Sequence, residues 1–300
     1  MHRETVEANG LNFSCLTAGP AEAPLLLMLH GFPEFSGGWE EMIDRLSDRF
    51  FCVAPDQRGY NLSDKPEGVA AYSTGKLVSD ALGVLDHYRP GGRAHALIGH
   101  DWGAGVAYAA AMRAPERFER LIIANGVHPL PFQRALASDP GQGAASQYIH
   151  FLRQPDSHEK LATDDFSGVM RLLWAKMDTA WMTPEATAKY KAAWGRPGAM
   201  NGMVNWYRAA RIAVPPPGGT LRPEELPDLP AEAMRIVMPH LLIWGMDDSA
   251  LLPVSRAGLE DLCDDLTVRE LEGCDHWLMH QKPDEVAALM RDFLDRPLPG

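Results

Sequence analysis

Short, unbroken apolar runs and helix-spaced apolar stripes alternate along the first 125 residues of the chain. Pro24–His30 (PLLLMLH) and Phe50–Asp56 (FFCVAPD) read as strands buried on both faces, because no polar residue interrupts them at every second position. Between them, Trp39, Met42, Ile43 and Leu46 fall on one face of a helix. A Gly/Pro-rich loop, DQRGYNLSDKPEG, leads to a second helical stripe of Leu77, Ala81 and Leu85, with Ser73 or Thr74 as its N-cap. Ahead of these, Asn9-Gly10 joins two short runs, the strongest local hairpin signal. HALIG then feeds a Gly-flanked turn and a helix of small residues, and Phe118–Asn125 makes the next strand.

Strands that alternate with helices imply an α/β fold: a mostly parallel sheet covered on both faces, with functional loops at the C-terminal ends of the strands. From about Val127 the alternation stops. A helical stretch follows that contains Trp174, Trp181, Trp194, Trp206 and several methionines, and it closes in the Pro-rich return VPPPGGTLRPEELPDLP. His240–Gly245 and Thr267–Leu271 resume the strand pattern, and KPDEVAALMRDFL ends the chain as a helix. The pattern therefore predicts eight strands, a core of residues 1–127 and 231–300, and a helical cap of residues 128–230 inserted after the sixth strand.

Composition narrows the class. The chain has 300 residues, 46% hydrophobic and 23% charged, and no run long enough to cross a bilayer, so a soluble enzyme is expected. A net charge of −12 without a Lys/Arg cluster argues against nucleic-acid binding. The opening MHRETVEANG lacks a basic-then-apolar leader pattern, which makes the cytoplasm the default location. Cys15, Cys52, Cys263 and Cys274 have neither C-x-x-C nor zinc-ligand spacing and read as reduced and mostly buried. No metal or organic cofactor is implied, and monomer and homodimer both stay open.

Three polar residues fall just beyond predicted strands: Asp101 in GHDWGAG, Asp248 in WGMDDSALLP and His276 in GCDHWLMHQKP. Their chain order of nucleophile, acid and histidine is that of hydrolases built on a strand–turn–helix elbow. Alone, Asp101 could be a helix N-cap, and Asp247 and Asp275 compete with Asp248 for the acid position. A carboxylate at the elbow has a chemical logic. With a pKa of ~4 it is already anionic at neutral pH and attacks without a base, which leaves the histidine free for a second step.

The segments HGFPEFSGGW, DQRGYNLSDKP, GHDWGAGVAY, WGMDDSALL and GCDHW resemble the α/β-hydrolase branch that contains epoxide hydrolases and haloalkane and haloacetate dehalogenases, from Pro24 to about Leu294. The resemblance implies that Asp101 attacks carbon to form an enzyme ester, and that His276, oriented by Asp248, activates water to hydrolyse it. It assigns the oxyanion hole to the backbone N–H groups of Phe32 and Trp102, with His30 and Gly31 shaping that loop. Within the branch, an opening epoxide needs a proton donor where a departing halide does not. SQYIHFLRQP and NWYRAA resemble the segments that carry the two cap tyrosines of epoxide hydrolases, which nominates Tyr148 and Tyr207. Tyr190, between two lysines, reads as a surface helix residue. The dehalogenase markers are weaker: Phe32 stands where haloalkane dehalogenases often carry a halide-binding asparagine, and Trp102 where a haloacetate enzyme has arginine. The reading is an epoxide hydrolase acting on an apolar epoxide and water, in a pocket of Phe32, Trp39, Trp102 and Trp277. A dehalogenase with the same nucleophile is the alternative, and a non-catalytic ligand-binding homologue a remote one.

Overall fold

A computed structural model describes residues 1–174 and 177–298, except the side chains of Leu173 and Trp174. Among the described residues eight strands form one sheet in the order β1-β2-β4-β3-β5-β6-β7-β8. β1 (His2–Ala8) and β2 (Leu11–Ala18) are the hairpin, and their register closes at Ala8 opposite Leu11. Asn9 and Gly10 occupy the turn with φ of 54° and 72°, the positive values that this dipeptide tolerates. β2 also pairs antiparallel with β4 (Phe51–Pro55), whereas β3 (Leu25–Leu29), β5 (Ala96–His100), β6 (Leu121–Ala124), β7 (His240–Gly245) and β8 (Leu266–Leu271) run parallel.

The unbroken apolar runs are explained by two core layers. Alternate residues of each central strand enter opposite layers. Leu25, Leu27 and Leu29 of β3 pack into the layer shared with α2 (Thr74–Tyr88) and α3 (Trp102–Arg113), and Leu26 and Met28 into the one formed with α1 (Glu40–Leu46) and the C-terminal helix. β4 and β6 divide in the same way. Ser73 is the N-cap of α2, but its side chain makes no capping hydrogen bond.

Between β6 and β7 the chain leaves the sheet through α4 (Pro129–Ser138), α5 (Pro140–Ala145), α6 (Tyr148–Leu152), α7 (Ser157–Trp174), α8 (Pro184–Trp194) and α9 (Ala199–Ala209). α7 is broken at Thr163–Phe166, where Asp164, Asp165 and Phe166 have positive φ. After β8 come the short α10 (Leu278–Gln281) and α11 (Pro283–Leu294). Among the described residues no helix is long and apolar enough to cross a membrane. The four cysteines are free thiols, three of them buried.

The order β4-β3-β5 reverses the winding of the sheet, so the loops after β3 and β5 diverge and open a crevice at the C-terminal edge. α3 must return immediately across that edge, and glycines make the return possible. A Cβ on Gly103 would fall on the Leu29 carbonyl oxygen, and one on Gly99 would sit 2.7 Å from the Ala104 Cα. Two residues further on, a Cβ on Gly105 would approach nothing closer than 3.9 Å. Chemical denaturation should therefore separate two neighbouring substitutions. Gly103→Ala should cost about 3 kcal/mol by forcing backbone apart, whereas Gly105→Ala should be neutral or stabilising by up to ~1 kcal/mol.

Candidate active site

Asp101 is the residue between β5 and α3, and its backbone sits at φ 50°, ψ −119°. A side chain rarely adopts that conformation, and holding it costs on the order of 1–3 kcal/mol. The turn throws the carboxylate off the sheet edge. Oδ1 accepts the Phe32 N–H at 2.7 Å from the loop after β3. A Cβ on Gly31 would overlap the Asp101 side chain, so that loop approaches only because Gly31 has none. Trp102 opens α3, where a backbone N–H has no carbonyl to meet within the helix. His30 is buried, and its Nε2 accepts the Gln57 N–H at 3.0 Å, which fixes the loop from behind.

β7 and β8 supply the partners. The His276 Nδ1–H donates to Asp248 Oδ2 at 2.8 Å, and its Nε2 lies 3.6 Å from Asp101 Oδ2. Asp248 is further held by the backbone N–H groups of Ala250 and Leu251, at 2.8 and 2.9 Å on Oδ1. Its rivals are placed elsewhere: Asp247 is exposed, and Asp275 accepts the N–H groups of Asp178 and Trp277.

Electrostatics follows from this sandwich. Burial alone would strip the proton from His276, but the flanking Asp248 and Asp101 carboxylates outweigh it and hold the imidazole pKa well above its usual value. Burial likewise pushes the Asp248 carboxyl up, and the adjacent imidazole with its hydrogen bonds outweighs this and leaves it below the carboxylate range.

A cavity of about 700 Å³ opens on Asp101 and is lined also by Trp102, Tyr148 and Tyr207. The Tyr207 ring packs edge-on to Trp102, Phe32 and Tyr148, at 4.9, 5.2 and 6.1 Å between centroids. Burial, with the nearby Asp101 charge, raises both phenol pKa values, so both hydroxyls keep their protons at neutral pH.

Three pocket expectations change, the first being Phe32, which packs on the Tyr207 ring but is not part of the cavity lining. Trp39 is fully buried in the layer between the sheet and α1 and α11, on the face opposite α3, and does not line the cavity. Trp277 is also outside the lining. It walls the far side of His276, with 5.0 Å between ring centroids, and packs on Trp181.

Tyr190 differs as well. It is only 5% exposed, and its hydroxyl donates to Glu34 Oε1 at 2.6 Å, so its lysine neighbours mark the two sides of a helix whose third face is buried. Glu34 itself has no counterpart in the sequence reading. Buried behind the elbow, it meets His100 Nδ1 at 3.0 Å and His280 Nε2 at 2.8 Å, and His100 Nε2 meets the His276 carbonyl oxygen at 2.9 Å. Burial would raise the Glu34 pKa, but the hydrogen bonds from the two imidazoles hold it well below the carboxylate range. Its signal was a charged residue inside the apolar, Gly/Pro-rich HGFPEF. Asn125 was also missed: its amide donates to Asp248 Oδ2 at 2.7 Å while its carbonyl oxygen receives the Gly245 N–H at 2.6 Å.

The His276 proton gives a direct check. Because the folded imidazole binds its proton more tightly than an unfolded one, its stabilisation is complete below ~6.5. It fades as pH rises through the raised folded value. In an NMR titration His276 should be protonated at pH 7, and Asp101→Ala should lower its pKa; an unchanged value would mean that Asp101 does not act on it.

Residues 24–283 match the α/β hydrolase fold family model. A Bacillus subtilis AB hydrolase superfamily protein, YfhM, is 35% identical, with 96% of each chain covered. Mouse epoxide hydrolase 4 is 30% identical over 96% of this chain and 78% of its own length. A solved structure described as a novel epoxide hydrolase of the α/β hydrolase superfamily, from metagenomes of hot environments, superposes with a TM-score of 0.89 at 38% identity, covering 99% of both chains. The chain belongs to the α/β-hydrolase fold family, in the group that holds the epoxide hydrolases.

Proposed function

We propose that this enzyme is an epoxide hydrolase that converts an apolar epoxide and water to a vicinal diol through an ester on Asp101. The observation that carries the proposal is one cavity lined by a carboxylate nucleophile and by two protonated phenols. Oδ1 of Asp101 is held by the Phe32 N–H, so Oδ2 is free to attack a ring carbon. As the C–O bond breaks, Tyr148 and Tyr207 hold the leaving oxygen and give it a proton. The ester that forms carries no charge on Asp101, so one of the two carboxylates that kept the proton on His276 is gone. The imidazolium gives up its proton to solvent while the phenolate left by ring opening takes one back, and the neutral imidazole, oriented by Asp248, then removes a proton from water. Hydroxide adds to the ester carbonyl, the oxyanion meets the N–H groups of Phe32 and Trp102, and collapse expels the diol and restores Asp101. In this reading residues 128–230 form the cap that carries the phenols. Apolar neighbours such as Val106, Val127 and Phe132 line the cavity and suit an apolar substrate.

Epoxides and haloalkanes assayed side by side should yield diol and no halide; halide release without diol would reassign the enzyme to the dehalogenases. Asp101→Ala should abolish turnover, and full diol formation by that variant would remove the nucleophile assignment. His276→Gln should accumulate a covalent adduct of substrate mass on the peptide that contains Asp101. Tyr148→Phe or Tyr207→Phe should each slow alkylation, by roughly 10²-fold for a lost proton donor, and two wild-type rates would end the role given to the phenols.

A further inference from the structure

Asp248 stands in the loop 246–252, which leaves β7 with neither helix nor strand, so its buried backbone groups need partners of another kind. Two of them, the N–H groups of Ala250 and Leu251, close on Asp248 Oδ1. The next two are closed from outside the loop, by Gln142 of α5, a side chain with no exposed surface. Its Oε1 accepts the Leu252 N–H and its Nε2 donates to the Ala250 carbonyl, both at 2.9 Å. The second hydrogen of Nε2 goes to the buried Ser146 hydroxyl, also at 2.9 Å, so the amide has a single orientation that serves all three partners. α5 is anchored in turn, because Asp139 accepts the Gln142 N–H at 2.7 Å.

The amide therefore grips the loop on both sides of Leu251, while the Asp248 carboxylate holds Leu251 itself and Ala250. Two bonds from one planar group fix a rotation as well as a distance. If the loop slid against α5 it would break both amide bonds and strand a carbonyl and an N–H in a buried place, which is costly. Asp248 Oδ1 is located through that loop, and with Oδ1 fixed, Oδ2 is aimed at His276 Nδ1, 2.8 Å away. Gln133 offers a contrast. Its amide also pairs with both backbone groups of one residue, Ala213, but that residue does not belong to the loop that holds Asp248.

We propose that Gln142 is a positioning residue: from α5 it aims Asp248 at His276. The kinetic consequence rests on the epoxide hydrolase reading. Hydrolysis of the ester needs an imidazole held in the right orientation and tautomer, whereas attack by the Asp101 carboxylate needs no base. Loss of the Gln142 amide should thus slow the second step and spare the first.

The test follows the His276 Nδ1 proton by NMR in the substrate-free protein, and both steps in single turnovers of alkyl and aryl epoxides. Gln142→Met keeps the length and volume of the side chain and removes both loop bonds. Gln142→Asn is milder, because it keeps an amide for the buried groups, but it is one methylene short and reaches them only if the loop moves. In either variant the Nδ1 proton should shift upfield and exchange faster with water. Alkylation should keep its wild-type rate, while ester hydrolysis should slow by roughly 10- to 100-fold, the scale of a misplaced catalytic group, so that the adduct on Asp101 accumulates. Gln133→Met, which also removes two hydrogen bonds to backbone, should lower the melting temperature and leave the His276 proton unmoved. A folded Gln142 variant with the wild-type resonance would overturn the positioning role, and so would one in which both steps slow equally. A wild-type protein that forms neither adduct nor diol from any of the epoxides would overturn the epoxide hydrolase reading and the kinetic consequence with it, and the resonance would then decide alone whether Gln142 aims Asp248.

Discussion

The constraint on which the site depends is the backbone of Asp101, held at φ 50° and ψ −119° where the chain leaves β5 and turns at once into α3. Nothing in an isolated pentapeptide favours that geometry. It persists because α3 packs flush against the Leu29 carbonyl at Gly103, and because Gly31 yields the space that the aspartate side chain fills. The strain is carried by the two-layered core, in which each central strand buries both faces. What the strain produces is a carboxylate that stands clear of the sheet, with one oxygen tied to a backbone N–H and the other turned toward an imidazole.

The second level is electrostatic. His276 lies between two carboxylates, and in the proposed mechanism the same arrangement that binds its proton in the resting protein weakens once Asp101 is esterified. A base that is protected before alkylation and released after it needs no moving part. Asp248 can serve as the permanent partner because Asn125 and two backbone N–H groups share its charge. Behind the elbow, Glu34 ties His100, His280 and Tyr190 of α8 into one buried cluster, so the helices between β6 and β7 contact the sheet layer through polar groups as well as through apolar packing.

The fold was legible because its signals are local or periodic. Runs buried on both faces announce parallel strands, Asn9-Gly10 announces a hairpin, and parallel strands deliver the residues that follow them to one edge. Asp101 and His276 could be named for that reason, since each closes a strand-to-loop step framed by glycine or cysteine. Residues whose role depends on which layer they enter were not legible. Trp39 has the composition of a pocket residue, but the helix phase that carries it faces the opposite layer. Tyr190 has charged neighbours in sequence, but its burial is set by Glu34, 156 residues away. Asn125 and Glu34 meet their partners only across strands, and the choice between Asp247 and Asp248 depends on one step of loop geometry that spacing alone leaves open.

The central claim is that oxygen reaches the substrate from Asp101 and not directly from water. A single turnover with enzyme in excess, carried out in water enriched in oxygen-18, tests it. Attack by Asp101 puts an unlabelled enzyme oxygen into the diol and leaves the label in the peptide that contains Asp101. A diol that carries oxygen-18, from a protein whose Asp101 stays unlabelled, would mean that water attacks the epoxide directly and would contradict the ester mechanism.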